Sequence, residues 1–506
     1  MRACLSCVCS PAGGTRIFLE RKGSRMTFEQ LVETVASAVE RVGVHVDSRL
    51  VERGDVFVAV PGTVHDGHSF LDRAVAGGAA YVVCQADHPA YRSDSAQVVS
   101  VPDSAEAAAI LAQAARGYPA RKMTSLAVTG TNGKTTVAFL TRCCLESAGR
   151  RCGLIGTILY DVCSGQSIEA SLTTPDSTLI ASLCEQMADN GATHMVTEAS
   201  SHALSQNRLA GIDFAAAAFT NLSGDHLDYH GTPHEYLQAK ARLFERLGEG
   251  ATAVLNKQSA EAHMIAERIA APVVWYAVDE EADVAAKVQS MEAGGTRFVL
   301  EARGERCEVR LPLVGAYNVS NALAAAGLAL AAGMEVREIA DGLSAAPTVA
   351  GRLEKVRWDG DFTVLVDYAH TDDALKNVLE ALKPLCRGRL IVVFGCGGDR
   401  DRSKRPRMAR AAEQSGDLLF VTSDNPRTED PGGIIEEIVA GFAEPGAGSI
   451  TVEPDREKAI AMAVRTARKD DIILIAGKGH ETYQIVGTQK SHFSDAEVAG
   501  RYLKER

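Results

Sequence analysis

The chain has 506 residues, a length at which we expect two to four domains rather than one core. A hydrophobic fraction of 46% and a charged fraction of 23% are typical of a globular protein. The formal net charge of −12 argues against a nucleic-acid-binding protein, and no run of 18 apolar residues could cross a membrane. The 12 cysteines form no disulfide framework, so we expect a cytoplasmic protein.

Residues 1–25 contain no continuous apolar segment of the kind that a signal peptide requires. We expect them to be a disordered extension, or to precede a native start at Met26. Three cysteines lie close together there, Cys4, Cys7 and Cys9, but no second Cys/His pair follows at the spacing of a zinc site. A metal site is the less favoured alternative.

Residues 26–119 are predicted to form a small α/β domain. The pattern predicts helices over 28–42 and 69–76, and strands over 54–60, 80–84 and 98–101. A turn-rich loop covers 61–67. No residue in this region is catalytic by spacing alone.

The segment 129–136, Thr-Gly-Thr-Asn-Gly-Lys-Thr-Thr, follows a short apolar strand and precedes a helix predicted over 137–148. A glycine-rich turn at a helix start surrounds phosphate oxygens with backbone N–H groups. Lys134 would then reach the outer phosphates, and the Thr135 hydroxyl would ligate Mg²⁺. The spacing GxxGK[ST] is shorter than the usual GxxxxGK[ST], but all of its parts are present. We predict that this loop binds a nucleotide; a simple helix-starting turn is the alternative.

Acidic and imidazole side chains follow the next two predicted strands. Glu198 ends a strand over 194–197, where Mg²⁺ is usually held beside a phosphate loop. A strand over 215–220 precedes potential metal ligands, or alternatively a polar capping loop: Asp225, His226, Asp228 and His230.

Three further side chains of this region have both a structural and a functional interpretation. Thr174, which precedes a proline, is predicted to cap the helix that follows it. Lys240, in a helix over 236–246, is by itself typical of a solvated lysine. Asn318 and Asn321 share one helix face and could cap the helix or contact a purine.

The last region contains four predicted strands, over 362–366, 389–394, 418–422 and 471–475, and each ends in a polar loop before a helix. This order is typical of a doubly wound sheet, in which ligands bind outside the carboxyl ends of the strands. One rim would therefore present Arg400, Arg427, Lys478 and Glu481.

Nine motifs in a fixed order between residues 46 and 481 identify the chain as similar to the Mur ligase family. They are TGTNGKTT, EASSH, NLSGDHLDYHG, GAYNVSN, GRLE, DYAHT, FGCGGDRD, DNPRTEDP and AGKGHE. The order most closely resembles members that add the third stem-peptide residue, usually meso-diaminopimelate, to UDP-MurNAc-L-Ala-D-Glu. The resemblance implies that ATP phosphorylates a substrate carboxylate and that an amine then attacks the acyl phosphate.

The resemblance also implies an α/β fold of three domains: a UDP-binding domain over 26–119, a P-loop ATPase-like domain over 120–349 and a Rossmann-like, amino-acid-binding domain over 350–506. It implies an ATP site at Gly130, Thr131, Asn132, Gly133, Lys134, Thr135, Thr136, Asn318, Asn321, Arg352 and Asp367. It implies two Mg²⁺ ions near Thr135, Glu198, His226 and a carbamylated Lys240. The catalytic set would be Lys134, Glu198, His226 and Lys240.

Two substrate sites are implied in the same way. The UDP-MurNAc-dipeptide would contact Val46, Ser48, Thr63, Val64, His65, Thr173, Thr174, Ser200, Gln206 and Arg208. The amino acid would contact Arg400, Asp424, Asn425, Pro426, Arg427, Gly477 and Glu481. A planar guanidinium can grip a carboxylate through two hydrogen bonds, and diaminopimelate has a second carboxylate that lysine and ornithine lack. The alternative for Asn-Pro-Arg is a plain turn.

Alternative functions stay open at this point. Lysine, ornithine or another diamino acid could be the acceptor. A folylpolyglutamate synthase would share the phosphate loop, and a P-loop switch would use nucleotide hydrolysis to move a partner. We expect a monomer that handles small molecules and binds neither nucleic acid nor membrane.

Overall fold

The computed structural model describes residues 26–62, 65–88, 90–292 and 294–506. The predictions for residues 1–25 lie outside this part, as do those for Thr63 and Val64. The chain forms two compact units, one that ends at Ala107 and one that begins at Ala108. No helix of the described residues is long and apolar enough to cross a bilayer.

The first unit contains a parallel four-stranded sheet. Its strands, in spatial order, are β1 (Val44–His45), β2 (Val56–Val58), β3 (Tyr81–Gln85) and β4 (Gln97–Val101). The helices are α1 (Phe28–Ala36), the 3₁₀ turn Gly67–Phe70 and α2 (Leu71–Ala76), and α3 (Ser104–Ala114) begins in this unit and ends in the second. Phe57 and Val82 from the sheet pack with Leu71 from α2 to form the core of this unit.

The helix predicted over 28–42 ends at Ala36, so that prediction is wrong beyond this residue. The backbone N–H and the hydroxyl of Ser37 both donate to the Glu33 carbonyl. The predicted apolar face would continue through Val39, but Val39 is fully exposed. A longer helix would therefore present an apolar face with no surface to cover it.

The second unit begins with a sheet of 11 strands, in the order β15-β14-β13-β12-β11-β10-β5-β9-β6-β7-β8. The strands are β5 (Thr124–Thr129), β6 (Cys152–Ile155), β7 (Leu159–Asp161), β8 (Ser167–Glu169), β9 (His194–Glu198), β10 (Phe214–Phe219), β11 (Thr252–Asn256), β12 (Val273–Val278), β13 (Val284–Glu292), β14 (Gly295–Ala302) and β15 (Glu305–Leu311). The strands from β13 to β6 run parallel, and the two ends of the sheet are antiparallel.

Helices cover both faces of this sheet. They are α4 (Lys134–Ser147), α5 (Ser177–Asp189), α6 (Ser201–Ser205), α7 (Leu227–His230), α8 (Pro233–Glu245), α9 (Ala260–Ala266), α10 (Ala316–Ala331) and α11 (Val336–Ala345), with a 3₁₀ turn at Pro119–Lys122. Because side chains alternate along a strand, Leu126 and Val128 of β5 join the core under α4, α10 and α11, whereas Ala127 joins the core under α5 and α8. Both faces of β5 are thus buried, and the loop after it is held in place.

The last part of the chain forms a six-stranded sheet in the order β16-β17-β21-β18-β19-β20. Its strands are β16 (Glu354–Lys355), β17 (Thr363–Asp367), β18 (Leu390–Phe394), β19 (Leu418–Val421), β20 (Ile450–Val452) and β21 (Ile472–Ala476), and β22 (Tyr483–Val486) pairs with β23 (Gln489–His492) in a separate hairpin. All pairs in the sheet except β16–β17 are parallel.

This sheet is also covered on both faces. Its helices are α12 (Asp372–Leu382), α13 (Lys404–Ser415), α14 (Pro431–Val439), α15 (Arg456–Thr466) and α16 (Asp495–Lys504), with a 3₁₀ turn at Lys383–Leu385. The first three pack on one face and the last two on the other. The predicted α/β class and the doubly wound C-terminal sheet are therefore confirmed.

Candidate active site

A cavity of about 630 Å³ lies in the second unit, where the loops at the carboxyl ends of both of its large sheets meet. Lys134 of the phosphate loop and Arg427 of the loop after β19 both line it. Asn132 joins the two sides, because its Nδ2 donates to Asp373 Oδ2 of α12 at 3.0 Å. The residues predicted for nucleotide and for amino acid thus face one common space.

The phosphate loop connects β5 to α4 and requires two glycines. Gly130 and Gly133 have φ angles of 148° and 88°, which favour glycine. A Cβ on Gly130 would lie 1.9 Å from Thr220 Oγ1, and one on Gly133 would lie 2.2 Å from Asn321 Oδ1. Any side chain at either position would distort the loop or its packing against α10.

Two amines meet at one carbonyl oxygen of this loop. Lys134 Nζ donates to Gly130 O at 2.9 Å and to Thr131 O at 2.8 Å, and Lys240 Nζ donates to Gly130 O at 2.8 Å. Lys240 is 1% exposed, and its Nζ lies 4.4 Å from the centre of the Tyr236 ring. Burial, and then the charge of Lys134, lower the pKa of Lys240 well below its ordinary value. The Lys240 amine is therefore biased towards its neutral, nucleophilic form.

Glu198 lies fully buried at the end of β9, below the loop. Its Oε2 accepts hydrogen bonds from the hydroxyls of Thr135 and Thr157, both at 2.9 Å, and its Oε1 accepts one from Thr157 N at 2.8 Å. A Cβ on Gly156 would lie 2.4 Å from Oε1, so only glycine leaves room for the carboxylate. A carboxylate with two neighbouring hydroxyls is a donor set that suits Mg²⁺.

His226 belongs to an aromatic cluster beside these groups. Its ring lies 4.9 Å from that of His202, and its Nε2 lies 3.4 Å from Asp225 Oδ2. Burial lowers the pKa of His226, and it lowers that of His230 to about 4. A neutral imidazole has a free lone pair, so His226 can act as a metal ligand near neutral pH.

Arg352 and Asp367 bring the C-terminal sheet to the phosphate loop. Arg352 Nη2 donates to Thr135 Oγ1 at 3.4 Å, and its guanidinium lies 4.8 Å from the centre of the Tyr368 ring. The Asp367 carboxylate accepts from Leu353 N at 2.7 Å and from Ala369 N at 2.8 Å. Asp367 therefore braces the turn that carries Arg352.

The two asparagines predicted to face a purine lie together on α10. Asn321 Nδ2 donates to Asn318 Oδ1 at 3.2 Å, and Asn318 Nδ2 donates to Val314 O at 2.8 Å. Both asparagines are buried, and both line the cavity. The shared helix face that their spacing predicts is confirmed.

Thr174 does not cap the following helix, so that prediction is wrong. The N-cap is Asp176, whose carboxylate accepts from the amides of Thr178 and Leu179. A carboxylate competes better than a hydroxyl for those amides because of its charge. The Thr174 hydroxyl donates instead to Glu198 O at 2.6 Å, which ties this segment to β9.

Arg208 lies beside Thr174 and lines the cavity. Its Nη1 donates to Thr174 O at 2.7 Å, and its Nε and Nη2 donate to Gln206 Oε1. Ser200, whose hydroxyl also caps α6, is 3.2 Å from the Thr174 hydroxyl, and Thr173 is within 3.1 Å of Thr157. Of the five residues predicted here for the peptide, Thr173, Thr174, Ser200 and Arg208 line the cavity. Gln206 does not line it, but its Oε1 accepts hydrogen bonds from the Arg208 guanidinium.

The predicted amino-acid pocket is built on Asn425. Its Oδ1 accepts from Lys478 Nζ at 2.9 Å and from Ile485 N at 3.0 Å, and its Nδ2 donates to Glu481 Oε2 at 2.8 Å. Burial and the charge of Asp424 raise the pKa of Glu481, and the charge of Lys478 opposes them.

Arg427 has a left-handed backbone with φ of 50°, and its N–H donates to Ile485 O. Its Nη1 donates to Gly398 O at 2.7 Å, so the guanidinium is held from one side. Asp424, Gly477 and the exposed Arg400 also line the cavity, and Pro426 is buried in the loop between Asn425 and Arg427.

The UDP-binding prediction concerns the first unit. Ser48 is buried, whereas Val46 and His65 are exposed. These three residues lie in the loops after β1 and after β2.

Several residues of the cavity wall are absent from the predicted site. They are Thr157, His202, Tyr236, His370 and Lys404. Lys478, predicted to lie on the rim, is fully buried and does not line the cavity, so that prediction is wrong; its Nζ donates to Asn425 Oδ1 and to Glu481 Oε2. His370 stands in the DYAHT motif and His202 in EASSH, so their positions at strand ends could have indicated them.

Three family descriptions match the chain. The Mur ligase family catalytic domain matches residues 41–116, the Mur ligase middle domain matches 128–329, and the Mur ligase glutamate ligase domain matches 351–479.

Relatives match over almost the whole chain. A protein of Gloeobacter violaceus named UDP-N-acetylmuramoyl-L-alanyl-D-glutamate–2,6-diaminopimelate ligase is 46% identical over 92% of this chain and 95% of its own length. A protein of Geobacillus kaustophilus with the same name is 44% identical over 92% and 95%. A solved structure of a ligase of that name is 34% identical, with a TM-score of 0.65 over 92% of this chain and 94% of that one. With this level of identity over this length, the chain belongs to the Mur ligase family.

Proposed function

We propose that this chain joins 2,6-diaminopimelate to UDP-MurNAc-L-Ala-D-Glu in an ATP-dependent reaction of peptidoglycan precursor synthesis. One observation carries the proposal: Lys134 of the phosphate loop and Arg427 of the acceptor loop line the same cavity. A ligase must bring a phosphoryl donor, a carboxylate and an amine together, and a P-loop switch has no need of the second pocket. The nine described cysteines are all free, which supports a reducing, cytoplasmic location.

In the first step, a carboxylate oxygen of the peptide attacks the γ-phosphorus of ATP, and ADP leaves. The backbone N–H groups from Gly130 to Lys134 would hold the phosphates, and the Lys134 amine would turn from its two carbonyl acceptors towards them. Asn318 and Asn321 would face the adenine, with Arg352 and Asp367 on the phosphate and ribose side.

In the second step, the amine of the acceptor attacks the acyl carbon, a C–N bond forms, and the C–O bond to phosphate breaks. The amine loses a proton to solvent or to a carboxylate. Glu481 would bind the acceptor's other ammonium group, and Arg427 its distant carboxylate. A pocket built for that carboxylate would reject lysine and ornithine, because the guanidinium would stay unpaired.

Two Mg²⁺ ions would supply positive charge to the phosphates and to the acyl phosphate when bound. Thr135 and Glu198 would hold one of them, since a buried carboxylate with adjacent hydroxyls fits that ion. His226 and a carbamylated Lys240 would hold the second. The neutral Lys240 amine would attack CO₂ and release one proton, so that a neutral amine beside Lys134 becomes an anionic carbamate.

The remaining substrate contacts are proposed from the family resemblance. Val46, Ser48 and His65 would bind the UDP portion, together with Thr63 and Val64. Thr173, Thr174, Ser200, Gln206 and Arg208 would bind the sugar and the dipeptide. We also propose domain boundaries near residues 119 and 349, which agree with the ranges of the three family matches.

The test is ADP release by the full chain with Mg²⁺, ATP and UDP-MurNAc-L-Ala-D-Glu, with meso-diaminopimelate, lysine, ornithine or no acceptor. We expect turnover with diaminopimelate to exceed that with the other amines by 100-fold or more, roughly what an unpaired buried charge costs. ATP turnover that ignores both the dipeptide and the amine would refute the ligase and favour a switch. Turnover with folate and glutamate instead would identify a folylpolyglutamate synthase.

A further inference from the structure

Lys404 is the first residue of α13, which begins after the loop that follows β18. The lysine is 4% exposed and lines the cavity. The start of α13 has no side-chain cap, and a helix N-terminus attracts negative charge. Pro406, in the first turn of α13, has no backbone N–H to offer, and among the residues of this turn it is Lys404 that lines the cavity.

Lys404 differs from the other cations of the cavity wall. Seven lysine and arginine side chains line the cavity: Lys134, Arg208, Lys240, Arg352, Arg400, Lys404 and Arg427. Six of them donate a hydrogen bond to a carbonyl or side-chain oxygen of the protein. Of the seven, Lys404 alone makes neither a hydrogen bond nor an ion pair with the residues that the structure describes. Its ammonium is therefore free to bind an anion that enters the cavity.

The groups around Lys404 indicate which anion this is. Burial, and then the charge of Lys404, lower the pKa of His370 to about 4. The charge of Lys404 also helps to lower the pKa of Asp225. His370 is also within reach of the charge of Arg352, whose guanidinium contacts Thr135 of the phosphate loop. Arg407 Nε of the same helix donates to Asp372 Oδ2 of α12 at 2.9 Å, and Asn132 Nδ2 of the phosphate loop donates to the neighbouring Asp373 Oδ2 at 3.0 Å. The start of α13 therefore lies beside the part of α12 that contacts the phosphate loop, which places Lys404 towards the phosphate half of the cavity.

We propose that Lys404 binds the phosphoryl group as it passes from ATP to the peptide carboxylate. This inference rests on the proposed ligase function. While the bond between the γ-phosphorus and the ADP oxygen breaks and the bond to the carboxylate oxygen forms, the ammonium contacts the non-bridging oxygens from the side opposite the phosphate loop. It stays protonated throughout, and its charge offsets the charge that gathers on the acyl phosphate.

The test separates phosphoryl transfer from acceptor binding. The full chain is incubated with Mg²⁺, ATP and UDP-MurNAc-L-Ala-D-Glu without an amino acid, and the acyl phosphate is trapped with hydroxylamine as the hydroxamate. We expect Lys404→Met to slow hydroxamate formation by about 100-fold, as removal of one fixed donor to a developing anion does. Lys404→Arg, which retains the charge, should recover part of the rate, and the KM for diaminopimelate should change less than threefold.

Lys376→Met is the matched control, because Lys376 is exposed on α12 and pairs with Glu380; it should behave as wild type. Unchanged hydroxamate formation in Lys404→Met would overturn the proposal, and a raised KM for diaminopimelate alone would assign Lys404 to the acceptor instead. If Lys404→Met does not fold, Lys404→Gln and Lys404→Arg decide by the same two readouts. A folded wild-type protein that forms no hydroxamate refutes the proposed function itself, and this proposal with it.

Discussion

The replacement Arg427→Ala tests the acceptor pocket most directly. Arg427 is half-buried, its Nη1 is held by Gly398 O, and the rest of its guanidinium faces the cavity. Two hydrogen bonds to a carboxylate contribute about 1.5 kcal/mol each at a half-buried site, which is the lower end of the range for charged groups. Their loss is about 3 kcal/mol, or roughly 100-fold in kcat/KM for diaminopimelate. The left-handed backbone is no more strained with Ala than with Arg, because both carry a Cβ.

The assay compares two acceptors in wild type and variant. Lysine has no second carboxylate, so its low kcat/KM should hardly change in Arg427→Ala, and the KM for ATP should stay within threefold. Arg402→Ala is the matched control, because Arg402 is exposed and pairs with Glu437. An equal loss for diaminopimelate and lysine would refute the reasoning, since it would mean that Arg427 supports the pocket without reading the carboxylate.

Three further predictions concern the metal and acceptor groups. Lys240→Ala should reduce turnover by about 100-fold, with partial recovery in added formate or acetate if a carbamate is the working group; full activity without rescue would exclude the carbamate. Glu198→Gln should raise the Mg²⁺ concentration for half-maximal turnover by about tenfold or more, and an unchanged requirement would remove Glu198 from the ion site. In Lys478→Met, the pKa of Glu481 should rise further, because the charge that opposes burial is lost. Glu481 would then become protonated at a higher pH, so the KM for diaminopimelate should start to rise at a higher pH in the variant than in wild type when the solution is acidified. A KM profile at the same pH in both proteins would contradict this role of Lys478.

The fold could be predicted well where a segment keeps one pattern of apolar residues and packs in one kind of environment along its whole length. Four strands of the C-terminal sheet, β17, β18, β19 and β21, are apolar runs with polar ends, and their predicted bounds differ by one residue at most from those in the structure. Helix α3 was missed because its alanine-rich face is buried almost all round, so it has no polar stripe to mark it as amphipathic. Helix α1 was predicted too long because a periodic apolar pattern continues past the residue at which its packing surface ends.

Only those residues of the site that stand in recognisable motifs could be predicted from the sequence. Lys134, Glu198 and Arg427 follow strands, and parallel strands bring their carboxyl ends to one edge. Contacts across the chain have no local signal: Lys240 is 110 positions from Gly130, and Lys478 is 53 from Asn425. The sequence alone describes Lys240 as a surface lysine, and only its burial against a carbonyl already shared with Lys134 gives it a depressed pKa.

An acidic protein that would bind ATP and a UDP-linked peptide, both of them anionic, needs its positive charge in one place. The chain has a formal net charge of −12, yet seven Lys and Arg side chains line the cavity against four carboxylates. Six of these side chains donate hydrogen bonds to carbonyl or side-chain oxygens of the protein, so they are already positioned around the cavity before any substrate arrives. Fixed charges in a partly closed space act more strongly than the same charges spread over the surface, because little solvent reorganises around them. The acidic exterior therefore does not oppose phosphoryl transfer: the local arrangement of charge, and not the net charge, determines where the anions bind.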